Sequence, residues 1–308
     1  MPGFTARPLG KTGMMVSPLG IGGGNGISSN DLLYAVDRGI NYIFFSSDLH
    51  HFAYQRSVEA IRKLCNPRSG RRDKVILATV SYITNPERLQ SVLLDQFVEL
   101  GIDYIDIFHW GCLGESDQIT ELTAKVHNLR DNQQLKRWLW VQQQAWHDKK
   151  FVLDINQDIV DRGLVRYVGA SFHSLQKARS CIDAVDVMML RYNLLERGCE
   201  ELVFPALQGE KRKDPGIVAF NVAHAAKAFQ KELHTHTFTS DTRPPTAEQY
   251  RFALTNPFVD VVLTGPTKRE EIDSALAAIE KGPLASDEYL HMRNQGDEYK
   301  KKYRKQPV

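Results

Sequence analysis

The sequence predicts an α/β fold, a single closed (β/α)8 barrel of the TIM type, on three observations. Strand-like runs alternate with helical patterns almost from end to end, the signature of parallel strands joined by crossover helices. Eight such runs follow one another, which favours a closed barrel over an open doubly wound sheet. The 308 residues suffice for one domain over residues 1–308, because such barrels take roughly 250 residues.

In chain order the expected strands are Ser17 to Ile21, Asn41 to Phe45, Val75 to Thr79, Tyr104 to Phe108, Val165 to Ala170, Val185 to Leu190, Ile217 to Phe220 and Val259 to Thr264. Several are unbroken β-branched or aromatic runs (YIFF, KVILATV, DVVLTG), as expected of strands covered on both faces. The helices carry their own punctuation. Ser29 or Asn30 caps DLLYAVDRG, Asn85 with Pro86 opens PERLQSVLLDQFVEL, Gly101 stops it, and Ser174 caps LQKARSCIDA.

One interval is too long for a crossover helix. More than fifty residues separate the fourth and fifth strands, and an insertion at about 113–150 holds LKRWLWVQQQAWHDKK. Leu135, Trp138, Leu139, Val141 and Trp146 give it one apolar stripe, fitting an extra helix packed on the barrel, a lid, or a dimer face through residues 115–150. Residues 284–308 form a C-terminal helix and tail.

Composition sets further bounds. With 42% hydrophobic and 25% charged residues and no bilayer-length apolar run, a membrane role is unsupported. Net charge is +2, and the short basic runs Arg71-Arg72, Lys211-Arg212-Lys213 and Lys300 to Lys305 read as solvated loops and tail, not as a nucleic-acid footprint. Cys65, Cys112, Cys181 and Cys199 lie far apart without a CxxC pair, and MPGFTARPLG has no signal-peptide core, so a cytoplasmic, reducing setting with small buried cysteines is expected.

Barrel enzymes place their chemistry at the C-terminal mouth, so polar residues just after strands are the candidates. They are Ser46, Ser47, Asp48, His50 and His51, then Ser81 and Tyr82, and His109, Trp110 and Cys112 after the fourth strand. Ser171, His173, Arg191, Asn221 and His224 complete the ring. Imidazole and phenol suit proton transfer near neutral pH: His50 or His109 as base or acid, Asp48 orienting and Tyr82 donating. The bland alternative for each histidine is a solvated loop residue. Asp48, His50, His51 and His109 also suit zinc or iron, but without HxxxH or HExxH spacing metal-free chemistry is favoured. Gly22-Gly23-Gly24 with Gly26 opens no helix; it reads as close backbone approach to a ligand, not as a dinucleotide fingerprint.

RPLGKTGMMVSPLGIGGG closely resembles the opening of aldo-keto reductases, a hairpin followed by L-G-x-T-G-x-x-V-S-x-L-G-x-G. GINYIFFSS, RGLVRYVGASFHS, DVMMLRYNLLER and TNPFVDVVLTGPTKREEIDSAL also resemble that family, in its order. The resemblance implies an N-terminal hairpin before the barrel and a tetrad of Asp, Tyr, Lys and His at its mouth. Those positions fall here on Phe44, Leu49, Val80 and, without a gap, Gly111, or His109 if two residues are deleted. The nicotinamide-holding Ser, Asn and Gln fall on Ser171, Phe172 and Met189, and the stacking aromatic on Phe220. At the phosphate turn Gly265, Thr267 and Lys268 match, while Glu271 and Ala275 replace Arg and Asn, so that NADP(H) is implied by the family but its site is degraded.

Three readings follow. The first is a small-molecule enzyme that keeps the barrel and has exchanged standard reduction for acid–base elimination, isomerisation, cyclisation or hydrolysis, in a pocket of Phe44, Leu49, Val80, Trp110, Phe172 and Arg191. The second is a divergent NADPH-dependent oxidoreductase with its proton donor moved to Tyr82 or His50. The third is a non-catalytic binding or assembly protein using the segment around Trp138.

Overall fold

The computed structural model describes residues 3–46, 51–82, 86–113, 156–210, 212–223 and 244–303. A hairpin of β1 (Arg7–Pro8) and β2 (Met15–Val16) precedes eight parallel strands. These are β3 (Leu19–Gly22), β4 (Tyr42–Ser46), β5 (Ile76–Ser81), β6 (Ile105–Leu113), β7 (Val165–Phe172), β8 (Val187–Arg191), β9 (Gly216–Phe220) and β10 (Val261–Thr264). They close in chain order, with β10 pairing back onto β3. Each overlaps one of the eight expected runs, and the insertion at about 113–150 lies outside the described residues.

Period-two alternation sorts the strand side chains into two cores. Tyr42, Phe44, Ile76, Ala78, Val80, Ile107, Val187, Met189, Val218 and Val261 fill the barrel, while Ile43, Phe45, Leu77, Phe108, Trp110 and Val168 face the surrounding helices. Burial on both faces explains why YIFF shows no alternation of polarity. The hairpin closes the bottom: Leu9 and Val16 are fully buried in the inner core, and Tyr167 donates its hydroxyl to the Thr12 carbonyl at 2.9 Å. Gly10 makes this closure feasible. It has φ 47°, and a Cβ there would lie 2.2 Å from the Gly216 nitrogen.

At the N-terminal rim a fourfold pattern ties the strands in pairs. Side chains beside β4, β6, β8 and β10, namely Asn41, Asp106, Asp186 and Asp260, accept backbone N–H bonds from Ser17, Leu77, Val168 and Ile217 at 2.8–3.0 Å. Each of these N–H groups precedes the first residue pair that its strand makes with the next one, and burying it unpaired is costly. Asp106 is also paired with Arg72 at 2.8 Å and Arg166 at 3.2 Å.

The first helix, Ser29–Asp37, is capped by Ser28, whose hydroxyl accepts from the Asp31 N–H, and not by Ser29 or Asn30. Pro86–Leu100 ends at Gly101 (φ 68°), and Ser174 caps Leu175–Ser180 as its sequence suggests. The C-terminal helix Ser286–Tyr303 is held to the segment after β8 by Arg293 on Glu200 and Asp297 on Arg197. Among the described residues no helix is long and apolar enough to cross a membrane.

One strand runs further than the sequence suggests. β6 continues to Leu113, five residues past Phe108, because Val80 pairs with His109 and Ser81 with Trp110 before a register shift between Trp110 and Leu113. His109 and Trp110 are therefore strand residues, not loop residues at the mouth.

Candidate functional site

A cavity of about 290 Å³ opens at the C-terminal ends of the strands. Phe44 and Val80 line it from β4 and β5, Met189 and Phe220 from β8 and β9, and Leu263 from β10. Ser171, His173, Tyr82, Tyr54 and Tyr250 complete the wall, with Asn25, Asn221 and Gly265 at the rim. Among the described lining residues none carries a formal charge at neutral pH.

Tyr82 owes its place to a glycine. Gly111 carries no side chain, and a Cβ there would meet the Tyr82 ring at 2.4 Å, so the ring lies against the β6 backbone where a larger residue would stand. The family resemblance places an aspartate at Phe44, a lysine at Val80 and a histidine at Gly111 or, with two residues deleted, at His109; Phe44 and Val80 face the cavity as apolar side chains.

Tyr54 enters from the helix His51–Cys65. Its ring stands edge-on to Phe44, with centroids 6.3 Å apart, and burial pushes its phenol up to about 12, so it holds its proton. The glycine run explains its position. A Cβ on Gly24 would lie 3.0 Å from the Tyr54 hydroxyl, and one on Gly23 2.1 Å from the Ser57 hydroxyl. These glycines make room for the chain's own helix, and Gly22 and Gly24 also line the cavity, so their backbone stands where a ligand would approach. Tyr54 was legible only as one residue of the helical stripe Tyr54, Val58 and Ile61; nothing in the sequence says which end of that stripe meets the mouth. Tyr250, from Thr246–Thr255, was likewise missed.

His173 lies beside Phe220, with centroids 5.8 Å apart, and its Nδ1 is 3.4 Å from Nη2 of Arg191. Burial and the neighbouring guanidinium lower its pKa to about 4, which keeps the ring neutral.

Four expected positions are corrected. His109 is fully buried inside the barrel and does not line the cavity; its ring lies 6.0 Å from that of Phe44. Its Nδ1 is 3.2 Å from the Thr79 carbonyl, which can only accept, so the proton sits on Nδ1 while Nε2 is buried without a partner. Burial drives its pKa down to about 3, which removes it as a base near neutrality. Trp110 points outward, wholly buried against Phe108, and its indole N–H donates to Asn156 at 2.8 Å. Phe172 belongs to the same outer core, and Arg191, paired with Glu196 at 3.1 Å, lies with Phe172 on a neighbouring cleft. The period of two accounts for Trp110 and Phe172: as even-numbered neighbours of inward His109 and Ser171 they fall on the opposite face.

Asp48, Leu49, His50 and His224 lie outside the described residues, as do the side chains of His51 and Cys112. Ser171, Phe220 and Gly265 do meet at the cavity, together with Phe44, Val80 and Tyr82. Thr267 and Lys268 stand apart from it, just before the helix Arg269–Glu280. There the Glu271 carboxylate accepts from the Thr267 N–H at 2.7 Å and its hydroxyl at 3.1 Å. A carboxylate thus already takes the donors a phosphate would need, and Met189 offers sulfur in place of a carboxamide. Ser171 and Phe220 keep their places at the cavity, but with Phe172 turned outward, Met189 in place of the carboxamide and Glu271 on the Thr267 donors, the set fits a nicotinamide dinucleotide poorly. Among the described residues, no three His, Cys, Asp or Glu side chains come together in a metal-binding arrangement.

No protein-family model matches the sequence, and no curated protein does. Solved structures do. An aldo-keto reductase from Bacillus halodurans in its holo form is 19% identical, with 94% of this chain and 95% of that one covered at a TM-score of 0.66. An aldo-keto reductase from Klebsiella pneumoniae in complex with NADPH is 14% identical over the same shares, with a TM-score of 0.67. At these identities the likeness is one of fold.

Proposed function

We propose that this chain, which has the aldo-keto reductase fold, is a small-molecule enzyme performing acid–base chemistry in the aromatic cavity instead of standard hydride transfer. The observation that carries this reading is the wall where Tyr82 lies on Gly111 above Phe44 and Val80. Where the family resemblance calls for a Tyr donor backed by a Lys–Asp pair, at positions that fall here on Leu49, Val80 and Phe44, this wall offers the Tyr82 phenol over apolar side chains.

In this reading Tyr82 and Tyr54 donate protons to a substrate oxygen that gains negative charge, and neutral His173 adds a hydrogen bond. The proton acceptor is His50, oriented by Asp48, on the strength of the sequence alone. Apolar Phe44, Val80, Met189 and Leu263 keep the site poor in water, which strengthens each of these hydrogen bonds. Fitting chemistry is enolisation beside a carbonyl, elimination or isomerisation. Each needs one proton removed and one delivered, and no external reductant.

Deuterium uptake from heavy water tests it. A panel of small aldehydes, ketones and hydroxy-carbonyl compounds is incubated with the full chain without nicotinamide and followed by NMR. Uptake or rearrangement is expected, with Tyr82→Phe slowing it by about 10²-fold. Turnover that requires NADPH would overturn the proposal in favour of a reductase with a displaced donor. Silence across the panel, with binding retained, would favour a non-catalytic binding protein.

A further inference from the structure

Beside the cavity lies a second cleft of about 810 Å³, bounded by the end of β8, the segment after it and the C-terminal helix. The two spaces share His173, which lines both. Their characters are opposite. Whereas the cavity's described lining is uncharged, Arg191, Arg197, Arg293, Lys300 and Lys301 line the cleft. Glu196, Asp297 and Glu200 each pair with one of the arginines, and with Glu201 the described lining holds five cations against four carboxylates.

Arg191 stands nearest the junction and is under-bonded. A guanidinium has five N–H donors. Arg191 gives one to Glu196 at 3.1 Å and one, at a long 3.4 Å, to His173, while its Nε finds no partner. Its side chain is 35% exposed, so a ligand in the cleft can reach it. The Nε of Arg197 is also buried without a partner.

We propose that the cleft is an oxyanion subsite continuous with the cavity, so that this protein takes a molecule with a planar, uncharged head and a carboxylate or phosphate tail. The head sits between Phe44 and Phe220, and the tail is held by Arg191. This rests on the cavity being the substrate site. A consequence concerns His173. Because a guanidinium only donates, the His173 lone pair is on Nδ1 and its proton on Nε2. An oxyanion on Arg191 offsets the positive charge beside the ring, so tail binding makes His173 easier to protonate.

The test is calorimetric titration of the full chain with phenylalkanoates from phenylacetate to phenylhexanoate, with matching phenylalkyl phosphates and phenylalkanols. One acid length is expected to bind about tenfold more tightly than its alcohol, with an advantage that shrinks as salt is added. Comparing carboxylate with phosphate identifies the tail. Arg191→Gln is expected to bring the acid down to the alcohol. Should that variant unfold, the wild-type protein still decides, because the acid and not the alcohol must raise the His173 midpoint followed by NMR. Equal affinity for acid and alcohol, or no binding of the acids, overturns the subsite. If unbranched alkanoates without the ring bind as tightly as the phenylalkanoates, the subsite stands and the cavity reading fails.

Discussion

The ring of Tyr82 lies so close to the backbone of Gly111 that a Cβ on that glycine would come within 2.4 Å of it. One residue supplies a phenol at the cavity wall, and the other gives it room. The strand that carries Gly111 pairs with β5 up to Trp110 and with β7 at Trp110 and Leu113, on either side of the glycine.

Gly111→Ala is therefore expected to displace Tyr82 and to lower stability by about 1–3 kcal/mol, the usual cost of overpacking a closed site. Tyr82→Ala should relieve most of that cost in the double variant, so the urea midpoints of the four proteins should show strong coupling. Additive losses would mean that the two do not touch.

Two buried histidines set the acid limb of stability. The pKa of His109 is lowered to about 3 and that of His173 to about 4, from an ordinary value near 6.5. The unfolded chain then binds more protons in this range, so the stability these groups allow is whole above about pH 6.5 and is lost as pH falls toward 4 and 3. His109→Asn, which keeps a donor near the Thr79 carbonyl, should lose less stability than wild type between pH 7 and 4 in urea denaturation. Parallel curves would exclude His109 as a source of acid sensitivity.

The fold was legible because its signals repeat: eight apolar runs, each bounded by turns and helical caps, admit few other arrangements. Within the site, the family resemblance pointed to Phe44, Val80, Ser171, Phe220 and Gly265, and position just after a strand pointed to Tyr82, His173 and Asn221; all of them line the cavity. His109 and Trp110 were misplaced because HWGCL lacks β-branched residues, and nothing local shows that pairing with β5 and β7 carries the strand to Leu113. Tyr54 escaped for another reason. Its position depends on how a helix settles against Gly23 and Gly24, a contact between segments about thirty residues apart.

The turn before Arg269 gives a test of the cofactor argument. Glu271 occupies the Thr267 donors, so NADPH titrated to millimolar levels should produce no saturable heat. Glu271→Ala frees those donors and removes a negative charge, and is expected to strengthen binding of the dinucleotide, most at low salt. Tight binding by the unaltered chain would show that the turn rearranges and that the carboxylate is no barrier.

The rim carboxylates give a prediction about the scaffold. Asp106 is only 3% exposed, accepts the Leu77 N–H at 2.9 Å and faces Arg72 at 2.8 Å, itself 17% exposed. Asp106→Ala would leave the buried Leu77 N–H without its acceptor and strip Arg72 of its counter-charge, leaving it only the Val75 and Tyr104 carbonyls, and should cost about 3 kcal/mol. Asp106→Asn keeps an acceptor for Leu77 while losing the charge, so its loss should be smaller. Asp186 makes the same kind of backbone bond to Val168, but it is 33% exposed and its partner Lys11 lies 3.4 Å away and 28% exposed. Water can replace much of what Asp186→Ala removes, so that variant should lose clearly less than Asp106→Ala in urea denaturation. Equal losses at the two positions would mean that the shared backbone bond, and not the buried ion pair, sets the strength of the rim.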